Sequence, residues 1–276
     1  MGPTEFTSLL LENTLIVAHD AGAASLIVNN MDIRNLSGLT AIAEGPALKI
    51  LRPKITVFGR DQLEKLLPNS SQVLLATGWQ SDLIGIALEA AKTKKIKTIG
   101  LIDRNKNLEL RFRYQNKLLT PDLIIAPSQT TLTLPTSLNH TPVIYLDDLG
   151  FQRLVDELKK LNNSVKKVYD FLFIGQPIID ANGSVDFQSQ FVALRTLCRD
   201  SGKDKCIGFR PHPSQQSNLN EYLPEGIQIC DSEESVTLQM AKAKSVVGFD
   251  SILLDVAETA KIHCIREDHE AHSYVS

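Results

Sequence analysis

Short apolar runs alternate with amphipathic segments along the chain, and this pattern predicts alternating strands and helices. In the first half, the pattern predicts strands at residues 14–18, 39–43, 55–58, 72–76, 97–102, 123–126 and 143–146. Helical patterns follow several of these strands, and the longest covers residues 82–94. This alternation is typical of an α/β protein with a parallel sheet.

A second α/β series follows an amphipathic helix at residues 151–160, whose pattern breaks at residues 161–164. The pattern predicts strands at residues 171–174, 205–209, 227–230, 245–247 and 262–265, and helices at residues 188–199, 236–243 and 251–260. We therefore predict an α/β protein with two Rossmann-like domains that face a cleft. The predicted domains are residues 1–150 and 151–276.

Composition narrows the class of protein. The chain is 43% hydrophobic and 22% charged, which is ordinary for a soluble globular protein. Its net charge of −3 provides no basic footprint for nucleic acid, so we expect no nucleic-acid partner. No signal pattern and no apolar stretch of about 20 residues occurs, so we expect a cytoplasmic protein. Peripheral association with a membrane stays open.

The four cysteines share no CxxC spacing: Cys198, Cys206, Cys230 and Cys264. This pattern favours buried free thiols in a reducing compartment over disulfides or a zinc site. We therefore predict no metal and no cofactor.

The strongest motif is Arg210-Pro211-His212-Pro213, which follows an apolar run and ends a predicted strand. The two prolines stop further strand pairing and hold the imidazole rigidly. A guanidinium and an imidazole at the carboxyl end of a strand can both bind a nucleotide phosphate. The alternative is a strand that ends at proline with an exposed histidine.

A second motif begins at Gly248, where another predicted strand turns into a helix. Ser251 can cap that helix or, with the free N–H groups of its first turn, bind a phosphate oxygen. Asp255 lies one turn further and could accept ribose hydroxyls. The alternative is that Ser251 serves only as the helix cap. Gly175, after the strand at residues 171–174, belongs to the same predicted nucleotide site.

A His-Pro motif, then a Gly-x-x-Ser turn with an acidic residue one turn later, resembles the C-terminal half of GT-B glycosyltransferases. Bacterial sialyltransferases, Kdo transferases and teichoic-acid glycerophosphotransferases are similar, and UDP-N-acetylglucosamine 2-epimerases have a similar terminal half. The resemblance covers roughly residues 170–266 and implies that His212 and Ser251 contact a donor phosphate and that Asp255 binds ribose. The acidic residue is Asp where GT-B proteins usually have Glu, and the second Ser or Thr of the sialyltransferase motif is absent.

Candidate acceptor-side residues follow the strands of the first half. Asp20 is the preferred catalytic base, because a carboxylate at the carboxyl end of a strand can deprotonate an acceptor hydroxyl. Asp103 and the pair Asp147–Asp148 are competing carboxylates, and Asp20 could instead be only a helix cap. The other residues predicted on this side are Gly22, Glu44, Thr77, Gly78 and Trp79. Trp79 could stack on a sugar ring, and the alternative is an aromatic side chain that only packs the corner between strand and helix.

The resemblance implies a transferase that moves a sugar, or a polyol phosphate, from a CMP-, CDP- or UDP-linked donor to a glycan or polyol hydroxyl in surface-polysaccharide biosynthesis. Arg210, His212 and Ser251 would hold the leaving phosphate without a metal, with His212 also counted as catalytic. One alternative is a nucleotide-sugar epimerase that uses Asp20, Glu44 and Asp103. The other is a nucleotide- or glycan-binding module without activity.

Overall fold

The computed structural model describes residues 1–31, 36, 38–78, 81–105, 108–128, 132–176, 178–179, 185–186, 188–202, 204–212, 215, 219–249 and 251–267. The chain divides into two compact units, Met1–Gly150 and Phe151–Ser276. The division falls at the start of the helix that the sequence pattern places between the halves. The acceptor-side and donor-side roles of the two units stay predictions.

The first unit contains nine strands and six α-helices within the described residues. In chain order they are α1 (Pro3–Leu9), β1 (Thr14–Ala18), α2 (Ala21–Asn30), β2 (Thr40–Ala43), α3 (Ala47–Leu51), β3 (Thr56–Phe58), α4 (Leu63–Leu66), β4 (Gln72–Ala76), α5 (Leu83–Thr93), β5 (Lys97–Leu101), α6 (Leu108–Arg111), β6 (Arg113–Tyr114), β7 (Lys117–Leu118), β8 (Leu123–Pro127) and β9 (Val143–Leu146). Short 3₁₀ turns occur at Arg60–Gln62, Leu67–Asn69 and Thr136–Leu138.

Seven of these strands form one sheet in the order β3-β2-β1-β4-β5-β8-β9, and every neighbouring pair is parallel. Counted along the sheet strands, this is the Rossmann order 3-2-1-4-5-6-7, with its reversal between β1 and β4. Because all seven strands run the same way, their carboxyl ends share one edge of the sheet.

The core of the first unit lies on both faces of this sheet. Along β1, Ile16 and Ala18 pack on one face, while Leu15 and Val17 pack on the other. Successive side chains of a strand point to opposite faces of the sheet. When helices cover both faces, every position of the strand is buried and is therefore apolar. This accounts for the continuous apolar runs that predict the strands.

The second unit begins with α7 (Leu149–Asn162), which starts two residues before the division. The remaining elements are β10 (Tyr169–Ile174), β11 (Ile178–Ile179), β12 (Val185–Asp186), α8 (Gln188–Ser201), β13 (Ile207–Arg210), a 3₁₀ turn (Leu219–Glu221), β14 (Gln228–Ile229), α9 (Val236–Ala241), β15 (Ala243–Gly248), α10 (Ile252–Thr259) and β16 (His263–Arg266).

Five strands of this unit form a parallel sheet in the order β14-β13-β10-β15-β16. This is again a Rossmann order, 3-2-1-4-5, with the reversal between β10 and β15. One face packs an aromatic cluster in which Phe173 lies 6.1 Å from both Phe209 and Phe249, measured between ring centroids. Phe209 also packs against Phe191, at 6.0 Å. This aromatic cluster packs on one face of the sheet, near the carboxyl ends of β13 and β15.

The mixed α/β architecture with two parallel Rossmann-like sheets confirms the predicted fold class. Every predicted strand is present, with bounds that shift by at most a few residues. The hydrophobic pattern missed α1 and the hairpins β6–β7 and β11–β12. Two-residue strands are too short to produce an alternation that a sequence can show. No described helix is long and apolar enough to cross a bilayer.

Candidate functional site

The carboxyl edge of the first sheet collects the polar side chains that follow β1, β2, β4 and β5. His19 and Asp20 follow β1, Glu44 follows β2, Thr77 follows β4 and Asp103 comes two residues after β5. In open parallel sheets, ligands bind at this edge, near the point where the strand order reverses. Here that point lies between β1 and β4, so Asp20 and Thr77 flank it.

Asp20 occupies the N-cap position of α2, but its side chain makes no capping hydrogen bond. Instead, its Oδ1 lies 2.7 Å from Nδ1 of His19. Both side chains are partly exposed, at 19% for Asp20 and 14% for His19. The capping alternative is therefore wrong for the side chain, and Asp20 forms an acid–imidazole pair that solvent or a ligand can reach.

Two glycines allow the loops of this edge to approach one another. A methyl group at Gly78 would overlap the carboxylate of Asp20, and one at Gly22 would overlap Oδ2 of Asp103. A side chain at either position would displace these carboxylates from their present places. The predicted residues Asp20, Gly22, Gly78 and Asp103 thus lie together in one cluster.

Arg111, almost fully buried, joins Asp103 to the end of β4. Its Nη1 lies 2.7 Å from Oδ1 of Asp103 and 3.0 Å from the carbonyl oxygen of Thr77. Thr77 in turn donates its hydroxyl to the carbonyl of Leu101, at 2.9 Å. Arg111 neutralises Asp103 and fixes the carboxyl ends of β4 and β5 in register.

Glu44 belongs to a second ion-pair network. Arg60 donates Nε to Oε2 of Glu44 at 3.1 Å and Nη2 to Oε1 at 2.7 Å, and Nη2 also lies 2.7 Å from Asp82. The hydroxyl of Ser81 donates to the same carboxylate. Burial by itself would raise the pKa of Glu44, but the hydrogen bonds from Arg60 and Ser81 outweigh it and hold that pKa below its usual value.

The predicted pair Asp147–Asp148 does not join this cluster. Trp79 lies outside the described residues. Asp147 and Asp148 follow β9, which lies four strands from β1 in the sheet. With neighbouring strands about 4.8 Å apart, that separation is about 19 Å, too far to share a small ligand group with Asp20.

The carboxyl edge of the second sheet carries Arg210, at the end of β13. Its guanidinium is half-buried, and Nη1 donates to Oε1 of Gln239 at 2.6 Å. Burial disfavours the charged form and lowers the pKa of Arg210, although arginine stays charged at any physiological pH. Among the described residues, no carboxylate forms an ion pair with Arg210.

His212 follows Arg210 after Pro211 and is partly buried. Burial lowers the pKa of its imidazole, so the ring is neutral at pH 7 and can donate one N–H. Pro213 and Ser214 lie outside the described residues.

Gly175 follows β10 and Gly248 ends β15, the two strands on either side of the reversal in this sheet. The N–H of Gly175 donates to the carbonyl of Arg210 at 2.7 Å, and a methyl group on Gly175 would lie 2.8 Å from that oxygen. The missing side chain of Gly175 makes room for the backbone of Arg210 and for the side chains of Gln190 and Phe209, and its role in a nucleotide site stays a prediction.

Ser251 is the N-cap of α10, and its hydroxyl accepts from the N–H of Leu253 at 3.4 Å. The capping alternative for Ser251 is thus present in the structure, while a phosphate role stays a prediction. Asp255, predicted to bind ribose, accepts from Nη2 of Arg266 at 2.8 Å on the surface of the unit. This ion pair satisfies one carboxylate oxygen, and the ribose role also stays a prediction.

Sequence reasoning missed two residues that organise these edges. Arg111 lies between the predicted strands at residues 97–102 and 123–126, where the hydrophobic pattern predicts no strand or helix. Gln239 is a polar residue in the apolar run of α9 and is fully buried. A lone amide in a buried helix was the available signal, because buried polar groups need partners.

Within the described parts of the chain, no group of three or more His, Cys, Asp or Glu side chains could hold a metal ion. The four cysteines are free thiols, and only Cys230 is buried, whereas the sequence pattern favours buried thiols.

No family model and no curated protein matches the sequence. Among solved structures, the chain is similar to UDP-GlcNAc 2-epimerase of Methanocaldococcus jannaschii in complex with UDP-GlcNAc and UDP. The TM-score is 0.54 at 13% identity, over 92% of this chain and 83% of that one. The chain has a GT-B-like fold. It also matches MurG of Acinetobacter baumannii, with TM-score 0.49 at 11% identity over 92% of this chain and 77% of that one.

The GT-B-like fold agrees with the resemblance carried by the His-Pro and Gly-x-x-Ser motifs. At such low identity the likeness establishes the fold alone, since one fold hosts several activities. The activity therefore depends on the side chains at the carboxyl edges of the two sheets.

Proposed function

We propose that the chain is an enzyme that transfers a sugar, or a polyol phosphate, from a nucleotide-activated donor to an acceptor hydroxyl. In this proposal the second unit binds the donor, and Asp20 of the first unit is the catalytic base. CMP, CDP and UDP are the candidate nucleotides, and the ligands of the M. jannaschii enzyme make UDP the first to test. Surface-polysaccharide assembly is the proposed setting.

The observation that carries the proposal is that no described carboxylate forms an ion pair with the guanidinium of Arg210. A half-buried guanidinium loses hydration, and an amide oxygen returns only part of that free energy. A bound phosphate would supply the missing charge through charge-assisted hydrogen bonds. The neutral imidazole of His212 and the first turn of α10 add donors at the same sheet edge.

The carboxylates of the first unit favour a transferase over an epimerase. Of the three predicted acids, Glu44 is bound by Arg60 and Asp103 by Arg111. Asp20 instead contacts an imidazole, which can share a proton with it. One acid–imidazole pair suits the removal of one proton from an acceptor hydroxyl, whereas an epimerase on this scaffold would need several available acids.

The proposed reaction balances without an added metal or redox partner. The acceptor oxygen forms a bond to the transferred carbon, or to phosphorus for a polyol phosphate, as the bond to the nucleotide's phosphate oxygen breaks. The acceptor proton passes to the Asp20–His19 pair. The nucleotide leaves as an anion, and Arg210, His212 and the N-terminus of α10 stabilise its charge.

Titration calorimetry with CMP, CDP and UDP tests donor binding. We expect at least one nucleotide to bind with a negative enthalpy, and folded protein that binds none would contradict the proposal. A UDP-linked sugar is then incubated with and without a fractionated glycan acceptor. Nucleotide release that depends on the acceptor supports the transferase.

Two other outcomes identify the rivals. An isomerised UDP-sugar in the absence of acceptor indicates an epimerase. Binding without turnover across acceptor fractions indicates a binding module.

A further inference from the structure

We propose that Gln239 is a positioning residue that orients Arg210 and, being neutral, preserves its positive charge for an anionic ligand. This inference rests on the proposed role of Arg210 in anion binding. Gln239 lies on α9, whereas Arg210 ends β13, so the contact joins a helix to the carboxyl edge of the sheet.

The orientation of the Gln239 amide is fixed by its own donors. Its Nε2 donates to the carbonyl oxygen of Asp231 at 2.6 Å and lies 3.4 Å from that of Glu234. The opposite amide orientation would place Oε1 against these two oxygens, so Oε1 must face Arg210. Since Gln239 is fully buried, its side chain has no solvent alternative.

This fixed amide leaves most of the guanidinium available. A guanidinium has five N–H donors, and Gln239 is its only hydrogen-bond partner within the described part of the chain. The remaining donors keep a fixed direction because one corner of the group is held. Such preorganisation lowers the entropy cost of binding a phosphate.

Three titratable groups near this contact, among the residues that the structure describes, do not neutralise Arg210. Burial raises the pKa of Cys230, so its thiol is neutral at pH 7. Burial and the neighbouring Cys230 raise the pKa of Tyr169 to about 12, so the phenol is also neutral. Glu234, which acts on both groups, is bound by Lys242. The nearby carboxylate is therefore committed elsewhere.

Replacing the amide by a carboxylate tests the charge directly. In Gln239→Glu, an ionised carboxylate of nearly the same shape would form an ion pair with Arg210 and compete with any anion. Gln239→Met keeps the volume and the cation but removes the orienting bond. Gln228→Glu adds the same charge at an exposed position on β14 and serves as the control.

The probes are inorganic pyrophosphate and UDP, measured by calorimetry at pH 8. We expect Gln239→Glu to bind both about 10- to 100-fold more weakly than the wild type, the range expected for hydrogen bonds to charged groups. Gln239→Met should lose only a few-fold, and Gln228→Glu should match the wild type. A purely structural role predicts comparable losses in both variants, because neither an ionised carboxylate nor methionine can donate to the carbonyls of Asp231 and Glu234.

A pH series separates charge from packing. A protonated carboxyl group can donate to the carbonyl of Asp231 and accept from Arg210, as the amide does. The deficit of Gln239→Glu relative to wild type at the same pH should therefore shrink as the pH falls from 8 to 5. A packing defect would persist at both values.

The outcomes also separate this inference from the proposed function. If the wild-type protein binds pyrophosphate but no nucleotide, the second unit does not bind a nucleotide-activated donor. Pyrophosphate binding still tests whether Gln239 orients Arg210. Wild-type protein that binds neither probe overturns both. Equal affinity of Gln239→Glu and wild type for the probes overturns the role of Gln239. Should Gln239→Glu fail to fold, unchanged affinity in Gln239→Met has the same meaning.

Discussion

The two sheets share a strand order, but their carboxyl edges carry opposite chemistry. At the edge of the first sheet, Arg60 and Arg111 are each bound by carboxylates. At the edge of the second sheet, Arg210 is held by an amide. At the first edge, Glu44, Asp82 and Asp103 form ion pairs with arginines of the same unit. At the second edge, no carboxylate among the described residues forms an ion pair with Arg210.

This difference shows what the shared fold does not decide. A Rossmann-like sheet provides an edge where loops and helix N-termini converge, and the residues placed there determine which ligand fits. An edge of paired charges is preorganised without a ligand. A partly buried cation without a counter-charge is stabilised when an anion binds to it.

The largest expected effect comes from removing the acid of the first edge. Asp20→Asn should lower acceptor-dependent turnover by about 10²- to 10⁴-fold, the usual contribution of a general base, while UDP affinity stays near the wild-type value. Steady-state kinetics and calorimetry measure the two quantities. Asp147→Asn, four strands away, is the matched control. Equal losses in both variants would exclude Asp20 as the base.

Removing the buried cation of the first edge should act on stability. Arg111→Ala leaves Asp103 unpaired and frees the carbonyl of Thr77. We expect the free energy of unfolding to fall by about 3–5 kcal/mol, as when one partner of a buried ion pair is lost. Arg113→Ala, in the exposed pair with Glu109, should cost about 1 kcal/mol or less. Similar urea-denaturation midpoints for the two variants would refute this contrast.

Removing the cation of the second edge should act on ligand affinity. Arg210→Ala should weaken UDP binding about 100-fold, the effect of about two charge-assisted hydrogen bonds. Arg199→Ala, whose side chain is 75% exposed in the same unit, should leave affinity unchanged. Calorimetry provides both values. If Arg210→Ala binds UDP as the wild type does, the contrast between the two edges has no functional meaning.

The smallest effect concerns pH at the first edge. Because the pKa of Glu44 is lowered in the folded state, its ionised form stabilises the protein above the pKa of the unfolded chain. That contribution is lost as the pH falls through the folded-state pKa. Glu44→Gln should therefore lower stability by about 1 kcal/mol or less at pH 7 and should not differ from wild type in strong acid. A stability difference that persists at low pH would point to packing instead of charge.

The central strands were predictable because they are buried on both faces, which gives continuous apolar runs such as residues 14–18 and 72–76. The motif at Arg210 and His212 was visible because two prolines mark the end of a strand. The pairing of Asp20 with His19 was not visible, since capping by Asp20 satisfies the same sequence pattern. Nor did any local pattern indicate that Gln239, far along the chain from Arg210, would hold its guanidinium.

The sequence by itself determined the α/β class, the order of the elements and the polar residues that follow each strand, because these depend on local periodicity and on turn residues. Tertiary structure alone decided which charges are compensated. A charge's partner depends on strands and helices that meet only after folding, such as β5 with Arg111 or β13 with α9. Desolvation is likewise a property of the packed edge, and it distinguishes a neutralised arginine from one prepared for an anion.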